Sequence, residues 1–524
     1  MGKYLNPGNV LFKMALDSEI YVDKTELISY TNRVLCTEQR YLCISRPRRF
    51  GKSMAINMLT AYYSKGCDSK DLFMDKKITG CETCDKYRNK FNVLFLNMQE
   101  FMSKGRTIDE VFSLIARIFV KEARKELSVT DYLDESDLGW CMADVYEESK
   151  IPFVVLIDEW DCIFREFKDN RREQERYLEL LRSVLKDKEY VALTYMTGIL
   201  PIKKYGTHSS LNMFDEFTMT DPRELAEFVG FTEKEVWDLC EKYTMDYEEA
   251  KNWYNGYSFL RVSEIYSPKS VVSAMIFRQY SDYWNQTESF ESLKTYIEMN
   301  FNGLKDAVIR MLSGFREKID IRHYSNDMIT FGGYEDVLTL LVHLGYLAYD
   351  AKSEEVYIPN KEISKEFVSV LSDMEWGTIV QSIKNSDALL KAIWNKDEEY
   401  VASAIERAHY ETSILQYNDE NALSYIVSLA FYTAREYYTI VREMPTGKGF
   451  ADVVFIPKKN HRDKPALLVE LKWDKDAKTA IQQVEEKNYL EALNDYAGRV
   501  ILAGISYSKR TKLHQCIIQE VYLN

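Results

Sequence analysis

Nine cysteines are scattered over 524 residues with no paired framework. That excludes a disulfide-stapled secreted scaffold. The N-terminus, MGKYLNPGNV, lacks a signal segment, and both absences point to a reducing cytoplasm. No apolar run reaches the roughly 18 residues that a spanning helix needs, so no membrane partner is expected. The one close thiol pair, Cys81 and Cys84, has only Cys67 nearby; a closed zinc site takes four ligands, so these read as loop thiols. Internal repeats and long low-complexity linkers are also missing. A net charge of −14 argues against a chain coated in nucleic acid over its whole surface. The charge is uneven, however: Arg442 to Asn524 holds 14 Lys/Arg against 11 Asp/Glu, which leaves −17 for the rest. A polyanion site near the C-terminal end is compatible with that shift.

What is present is ample core material, 46% hydrophobic, in a length that suits about three or four domains. The first part alternates short apolar runs with amphipathic helices. Tyr41–Ser45 (YLCIS), Val93–Asn97 (VLFLN), Phe153–Ile157 (FVVLI) and Tyr190–Thr197 (YVALTYMT) read as strands. Between them, Ile108, Val111, Phe112, Ile115, Ile118 and Phe119 form a helical stripe. Strands without polar alternation, separated by helices, predict a parallel sheet covered on both faces. After about Asp221 helices dominate, and Trp253–Phe259 (WYNGYSF) carries an Asn-Gly turn signal between aromatics. A helix ending near Gly345 and two short strands around Leu347–Tyr349 and Val356–Ile358 suit a winged-helix-like module. The last stretch reads as strands around Ala451–Ile456, Ala466–Leu471 and Arg499–Gly504 about a helix starting near Lys478.

Tyr41–Ser53 reads YLCISRPRRFGKS, a strand running into Gly51-Lys52-Ser53 and then a helix. In that context backbone amides and the helix N-terminus face phosphates, Lys52 reaches the β- and γ-phosphates, and Ser53 holds Mg²⁺. The first glycine of the usual loop is replaced by Arg46, and Pro47, Arg48 and Arg49 follow it. The apolar strand Phe153–Ile157 ends in Asp158 and Glu159. The first carboxylate suits Mg²⁺ beside the loop serine, and the second suits a base for the attacking water. Thr197, at the tip of another strand, is placed to contact the γ-phosphate or the water.

YVDKTELI (Tyr21–Ile28), SRPRRFGKS (Ser45–Ser53), LIDEWD (Leu156–Asp161), TGIL (Thr197–Leu200), SLN (Ser210–Asn212), WYNGYSF and YSPKSV (Tyr266–Val271) resemble, in this order, a bacterial family of AAA-ATPase-like proteins with a C-terminal PD-(D/E)XK nuclease-like domain. RPRRFGKS is that family's usual loop, so the resemblance implies that Arg46, Arg48, Arg49, Gly51, Lys52 and Ser53 serve nucleotide binding. Relatives often read YNPWS where this chain reads YSPKS, a loop with no assigned chemistry. Arg48 and Arg49 suit phosphate neutralisation or action between subunits of a homo-oligomer. Lys203, Lys204 and Arg223 are further candidates, with solvated charge as the alternative for each. By position Tyr21, Asp23 and Lys24 suit the nucleotide base.

Toward the C-terminus, Asp452 begins one strand, and Glu470 and Lys472 stand two apart on the next, hence on one face. Two such carboxylates suit a Mg²⁺ ion, with Lys472 steadying charge on a scissile phosphodiester. Gln483 lies early on the following helix, and Glu443 or Glu420 are candidates for a further carboxylate. The resemblance implies the catalytic set Asp452, Glu470 and Lys472, with Gln483 in support and Lys487 and Tyr489 completing a QxxxKxY run after the Gly447–Gly449 lead-in.

The expected architecture is therefore α/β. An AAA-like P-loop domain spans 1–220, a helical lid or middle region 221–330, a winged-helix-like module 331–405, and an α/β restriction-endonuclease-like domain 406–524. The expected function is ATP·Mg²⁺ hydrolysis coupled to Mg²⁺-dependent action on DNA or RNA. Two alternatives stay open: an ATP-dependent non-enzymatic switch or scaffold whose C-terminal domain only binds nucleic acid or a protein, and an ATPase with an inactive nuclease remnant.

Overall fold

The computed structural model describes residues 2–523 apart from 128, 130, 203–210, 285–288, 300, 327, 375–376, 412–419, 447–448, 487–492 and 494–497. The chain forms two compact units, Met1–Ser289 with Lys318–Ser364, and Phe290–Glu317 with Lys365–Asn524.

The first unit is built on β1 (Tyr41–Ser45), β2 (Asn92–Asn97), β3 (Phe153–Asp158), β4 (Val191–Gly198) and β5 (Asp215–Phe217), in the order β2-β3-β4-β1-β5. Every pairing is parallel. β1, β3 and β4 are buried along their whole length, which is why they read as unbroken apolar runs. The four expected strands are present. The fifth, Asp-Glu-Phe, carries no periodic signal in three residues and exists because β1 offers it an edge. The helix Ile108–Glu126 follows its stripe onto the sheet, capped by Thr107 accepting from the Glu110 amide. Parallel strands bring Ser45, Asp158 and Gly198 to one edge, the carboxyl end where open α/β sheets bind ligands.

Beyond the sheet, Thr232 and Glu235 form a capping box on the helix Glu233–Tyr243, and the helix Tyr247–Tyr254 runs into the Asn-Gly turn. β6 (Phe231–Thr232) and β7 (Ile265–Tyr266) pair beside it, and the helix Pro268–Phe277 begins with proline at its first turn. A core of Val236, Leu239, Tyr254, Tyr266, Val271 and Ala274 joins these pieces. After the short β8 (Glu317–Lys318), the helix Tyr334–Leu344 stops at Gly345, φ 90°, and an antiparallel hairpin of β9 (Ala348–Asp350) and β10 (Glu355–Tyr357) follows.

In the second unit, β11 (Tyr438–Thr446), β12 (Gly449–Pro457), β13 (Ala466–Trp473), β14 (Gly498–Ser508) and β15 (Leu513–Leu523) form one sheet in that order, antiparallel except for β13 with β14. The three middle strands are the expected ones. β11 and β15 are its edges; exposed Thr439, Glu443 and Pro445 on one and exposed Gln515, Gln519 and Tyr522 on the other interrupt the apolar residues and hide both from an apolar-run reading. The helices Gly377–Trp394 and Glu398–Glu411 bury Leu390, Ile393, Val401 and Ile405 with Val453, Val469 and Ile501 of this sheet. The stretch 365–405, expected in a winged-helix-like module, therefore packs with the second unit. The helix Ala477–Glu486 covers the opposite face through Ile481 and Val484.

Candidate functional sites

Leaving β1, Ser45 donates to the Leu200 carbonyl (2.8 Å) and the Arg46 amide to Gly198 (3.0 Å), so the loop starts pinned to the end of β4. It turns through Arg49 (φ 70°) and Gly51 (φ 93°) into the helix Lys52–Tyr63. Gly51 meets no atom where a Cβ would stand, so its role is conformational. The Lys52 ammonium is buried and donates to the loop's own carbonyls, Arg46 O (3.0 Å) and Pro47 O (2.9 Å). Burial pushes its pKa down against the opposing charges of Glu159, Asp158 and Asp161.

Asp158 receives two hydroxyls, Ser53 Oγ on Oδ2 and Thr197 Oγ1 on Oδ1, each at 2.6 Å. Loop serine, β3 carboxylate and β4 threonine are thus one network. Glu159 stands in the left-handed region at φ 53°, an uncommon conformation for a side-chain-bearing residue. Its carboxylate pairs with Arg165 at 2.8 Å. Burial pushes Glu159 up, but Lys52, Arg165 and Arg48 outweigh it and hold the carboxyl below its ordinary value.

Asp161, two residues on, was not singled out from the sequence. It is fully buried, accepts from the Ile199 (3.0 Å) and Leu200 (2.9 Å) amides, and lies 3.6 Å from Arg165. Burial holds its carboxyl above the usual range. A Cβ on Gly198 would stand 2.6 Å from Asp161 and from the Trp160 ring, which is why the TGIL strand end needs glycine.

A cavity of about 760 Å³ opens beside these groups. Arg48, Arg49, Gly51, Lys52, Ser53 and Glu159 line its polar end; Ile20, Val22, Met54, Phe231, Val272 and Ile276 line much of the rest. Tyr21 and Lys24 reach its wall, and Lys24 pairs with Glu235 at 2.6 Å. Asp23 does not; it accepts from the Thr25 and Lys77 amides. Pro268 and Lys269 put the YSPKS loop on the wall as well, as does Gln99, and the sequence offered no signal for either. Arg46 is the correction. Its guanidinium is fully buried, is absent from the cavity wall, and donates to Phe217 O (2.9 Å) and Thr218 O (3.1 Å), so it is tied to the fold. Arg223 lies off the cavity wall, paired with Asp221 (3.1 Å) and Asp215 (3.7 Å). Lys203 and Lys204 lie outside the described residues.

The second unit gathers its own polar cluster. β12 and β13 are neighbours, and Asp452 Oδ2 accepts the Leu471 amide at 2.7 Å. Glu470 is fully buried. Its Oε1 receives Lys472 Nζ (3.0 Å) and the Gln483 amide, while Oε2 has no hydrogen-bond partner among the described residues. Burial first, then the Asp452 charge, pushes the Glu470 carboxyl up to about 7. Gly504, paired with Glu470 across β13–β14, lets the covering helix approach: a Cβ there would stand 2.6 Å from Ala477 O. That approach brings Gln483 to Glu470. Glu443 is exposed at φ 45° on β11. The Glu420 side chain, Gly447, Lys448, Lys487 and Tyr489 lie outside the described residues. Cys81 contacts Thr83 Oγ1 (3.1 Å), and among the described residues no three metal-ligating side chains cluster.

The first unit is thus an α/β domain with a phosphate-loop-like strand-to-helix turn, and the second a mixed sheet with a buried carboxylate–lysine pair. Residues 11–207 match the family described as predicted AAA-ATPase, and residues 418–515 match the PD-(D/E)XK nuclease superfamily. The chain combines an AAA-ATPase-like domain with a PD-(D/E)XK nuclease-superfamily domain. A curated relative, the uncharacterized protein in the vnfD 5' region of Azotobacter chroococcum mcd 1, is 26% identical over 285 residues, 52% of this chain. The match spans about half of that relative's length, 51%. Among solved structures, Cdc6p from Pyrobaculum aerophilum (9% identity, TM-score 0.25) covers 71% of this chain and 99% of its own. The Aeropyrum pernix ORC1 protein in complex with DNA (12% identity, TM-score 0.24) covers 71% and 98%. Likenesses at those scores tie no activity to this chain. Among the described residues no helix is long and apolar enough to cross a membrane.

Proposed function

We propose that the first unit binds and hydrolyses ATP with Mg²⁺ and that the second hydrolyses nucleic-acid phosphodiesters, DNA or RNA, with Mg²⁺. The observation that carries the first reading is the meeting of Lys52, Ser53 and Glu159 at the polar end of one largely apolar cavity, with Asp158 behind Ser53. The volume, about 760 Å³, is ample for a nucleotide. Lys52, now held by two loop carbonyls, exchanges them for phosphate oxygens. Arg48 and Arg49 add positive charge there. Hydroxyl and carboxylate oxygens on Ser53 and Asp158 are the hard donors Mg²⁺ prefers. Thr197 keeps the Asp158 carboxylate oriented. Glu159, kept ionised by Lys52 and Arg165, orients the attacking water and takes its proton.

In the second unit the orphaned Glu470 Oε2 supports the reading, because a buried carboxylate oxygen without a donor fits a cation. Asp452 and Glu470 are the residues that would hold Mg²⁺. When bound, the ion lowers the pKa of a water and steadies charge on the phosphate. Lys472 and Gln483 fix the Glu470 carboxylate, and Lys472 offers a cation to the scissile group.

Phosphate release from ATP, and cleavage of DNA and of RNA, each with Mg²⁺ or Mn²⁺, test the two halves. Lys52→Ala is expected to remove the first activity and Lys472→Ala the second. Turnover surviving Lys52→Ala, or cutting that survives Lys472→Ala, would place the chemistry elsewhere. ATP binding without turnover above a Glu159→Gln control would favour a switch.

A further inference from the structure

The loop Arg46–Gly51 keeps one glycine, yet it must present backbone amides to a ligand. Side-chain-bearing residues there need their shape imposed from outside. The first unit supplies that at four places. Phe50 meets the Tyr257 ring edge-on, centroids 5.3 Å apart. Pro47 lies against Gly345: a Cβ at Gly345 would stand 2.8 Å from Pro47 Cβ and Cγ. Arg49 donates to Tyr283 O at 2.8 Å. The Arg46 guanidinium sits 5.6 Å above the Phe259 ring.

These partners are themselves fixed. The Tyr257 hydroxyl, buried, donates to Gly345 O at 2.6 Å, so one side chain ties the ring on Phe50 to the cap against Pro47. The Tyr283 and Trp284 amides donate to Glu362 Oε1 (2.7 and 2.9 Å), which holds the carbonyl that Arg49 uses. The Asn-Gly turn before Tyr257 is clasped from the far side: Tyr357 donates to Gly256 O (2.9 Å) and Asn360 to Asn255 O (2.7 Å). Gly256 cannot be replaced, since a Cβ there would lie 2.0 Å from Pro359 O.

We infer that Tyr257 and Gly345 are positioning residues for the phosphate loop, and that the WYNGYSF segment and the Gly345 helix cap do the shaping that extra glycines do elsewhere. This rests on the ATP reading above. It explains why RPRRF and WYNGYSF stand in one chain some 200 residues apart: four of the five side-chain-bearing loop residues, Arg46, Pro47, Arg49 and Phe50, have a dedicated contact. None of Tyr257, Phe259, Tyr283 and Gly345 lines the cavity, so their effect reaches a ligand there only through the loop.

The test uses the full chain with Tyr257→Phe, Gly345→Ala and, as control, Tyr190→Phe. Tyr190 is also buried and also donates at 2.6 Å to a carbonyl, Val184 O, but at the amino end of β4. Two readouts are taken: affinity for ATP·Mg²⁺, and the rate of tryptic cutting after Arg48 and Arg49 without nucleotide. Losing one hydrogen bond of about 1 kcal/mol predicts roughly fivefold weaker ATP binding in Tyr257→Phe. Gly345→Ala is expected to weaken it about tenfold or more, because the loop itself must move. Tyr190→Phe is expected to stay within about twofold, although it loses as much stability. The loop should be cut several times faster in the first two variants only. Matching affinities and cutting rates across all three would overturn the inference. If the wild type binds no ATP, the nucleotide reading fails, and the tryptic rates still decide whether Tyr257 and Gly345 hold the loop.

Discussion

Glu159→Gln separates the chemistry of the first site from its architecture. The glutamine is isosteric and can still accept from Arg165, now 2.8 Å from the carboxylate. Arg165 also keeps Asp161, 3.6 Å away, so no cation is left buried alone. The ion pair is mostly but not fully buried, and the loss is expected to be about 1–2 kcal/mol. For a unit of this size that is a fall of no more than about 5 °C in Tm. ATP affinity is expected to hold or tighten, because a carboxylate leaves the neighbourhood of a polyanion. The base itself is lost, and general bases contribute about 10²–10⁴ in rate, some 3–5 kcal/mol of barrier. The assay is phosphate release at saturating ATP beside equilibrium ATP binding. Turnover within threefold of wild type, with binding intact, would refute Glu159 as the base; loss of binding would mean that its role is to build the pocket.

Asp161→Ala strands two buried amides, Ile199 and Leu200, and leaves Arg165 with Glu159 alone, so a loss of about 3–5 kcal/mol is expected. Thermal unfolding followed by circular dichroism measures it, and a change under 1 kcal/mol would contradict the network. Glu470→Gln should lower metal-dependent cleavage by about 10² or more and also lower the urea midpoint of the second unit, since buried Lys472, 3.0 Å away, keeps an amide acceptor but loses its counter-charge; nuclease rate and urea midpoint are read together, and unchanged cutting counts against the site. His409 lies at tilted angles against Trp473 and Tyr507, and His514 against Tyr507; the two imidazoles are hydrogen-bonded at 3.0 Å, and the His514 amide lies 3.5 Å from Glu406 Oε2. Burial pushes both imidazoles down from 6.5, His514 to about 4 with His409 adding to the shift. The unfolded chain therefore binds more protons between those values. Their contribution to the stability of the second unit is complete above pH 6.5 and is lost as pH falls toward 4. Urea midpoints at pH 7 and pH 5 test this against His514→Asn, in which the acid loss should shrink; equal losses in both would sink it.

Sequence alone was enough where burial is uniform or a turn is short-range. YLCIS, VLFLN, FVVLI and YVALTYMT announce themselves because both faces of a parallel strand must be apolar; Asp158 follows from ending one such strand, and Lys52 and Ser53 from opening the helix after another. Glu470 and Lys472 share a face by strand geometry, so their pairing at 3.0 Å was legible too. What tertiary structure decided is where polar groups without a local pattern turn. Arg46 occupies a phosphate-loop position, yet its guanidinium finds carbonyls of Phe217 and Thr218 some 170 residues on. Asp161 matters through amides at 199 and 200, Lys269 through the cavity it reaches, and β5, β11 and β15 through edges already formed beside them. Such contacts depend on the closing of long loops around a finished core. Local periodicity carries the sheet and the strand-end chemistry, and only the packed chain determines which neighbours hold that chemistry in place.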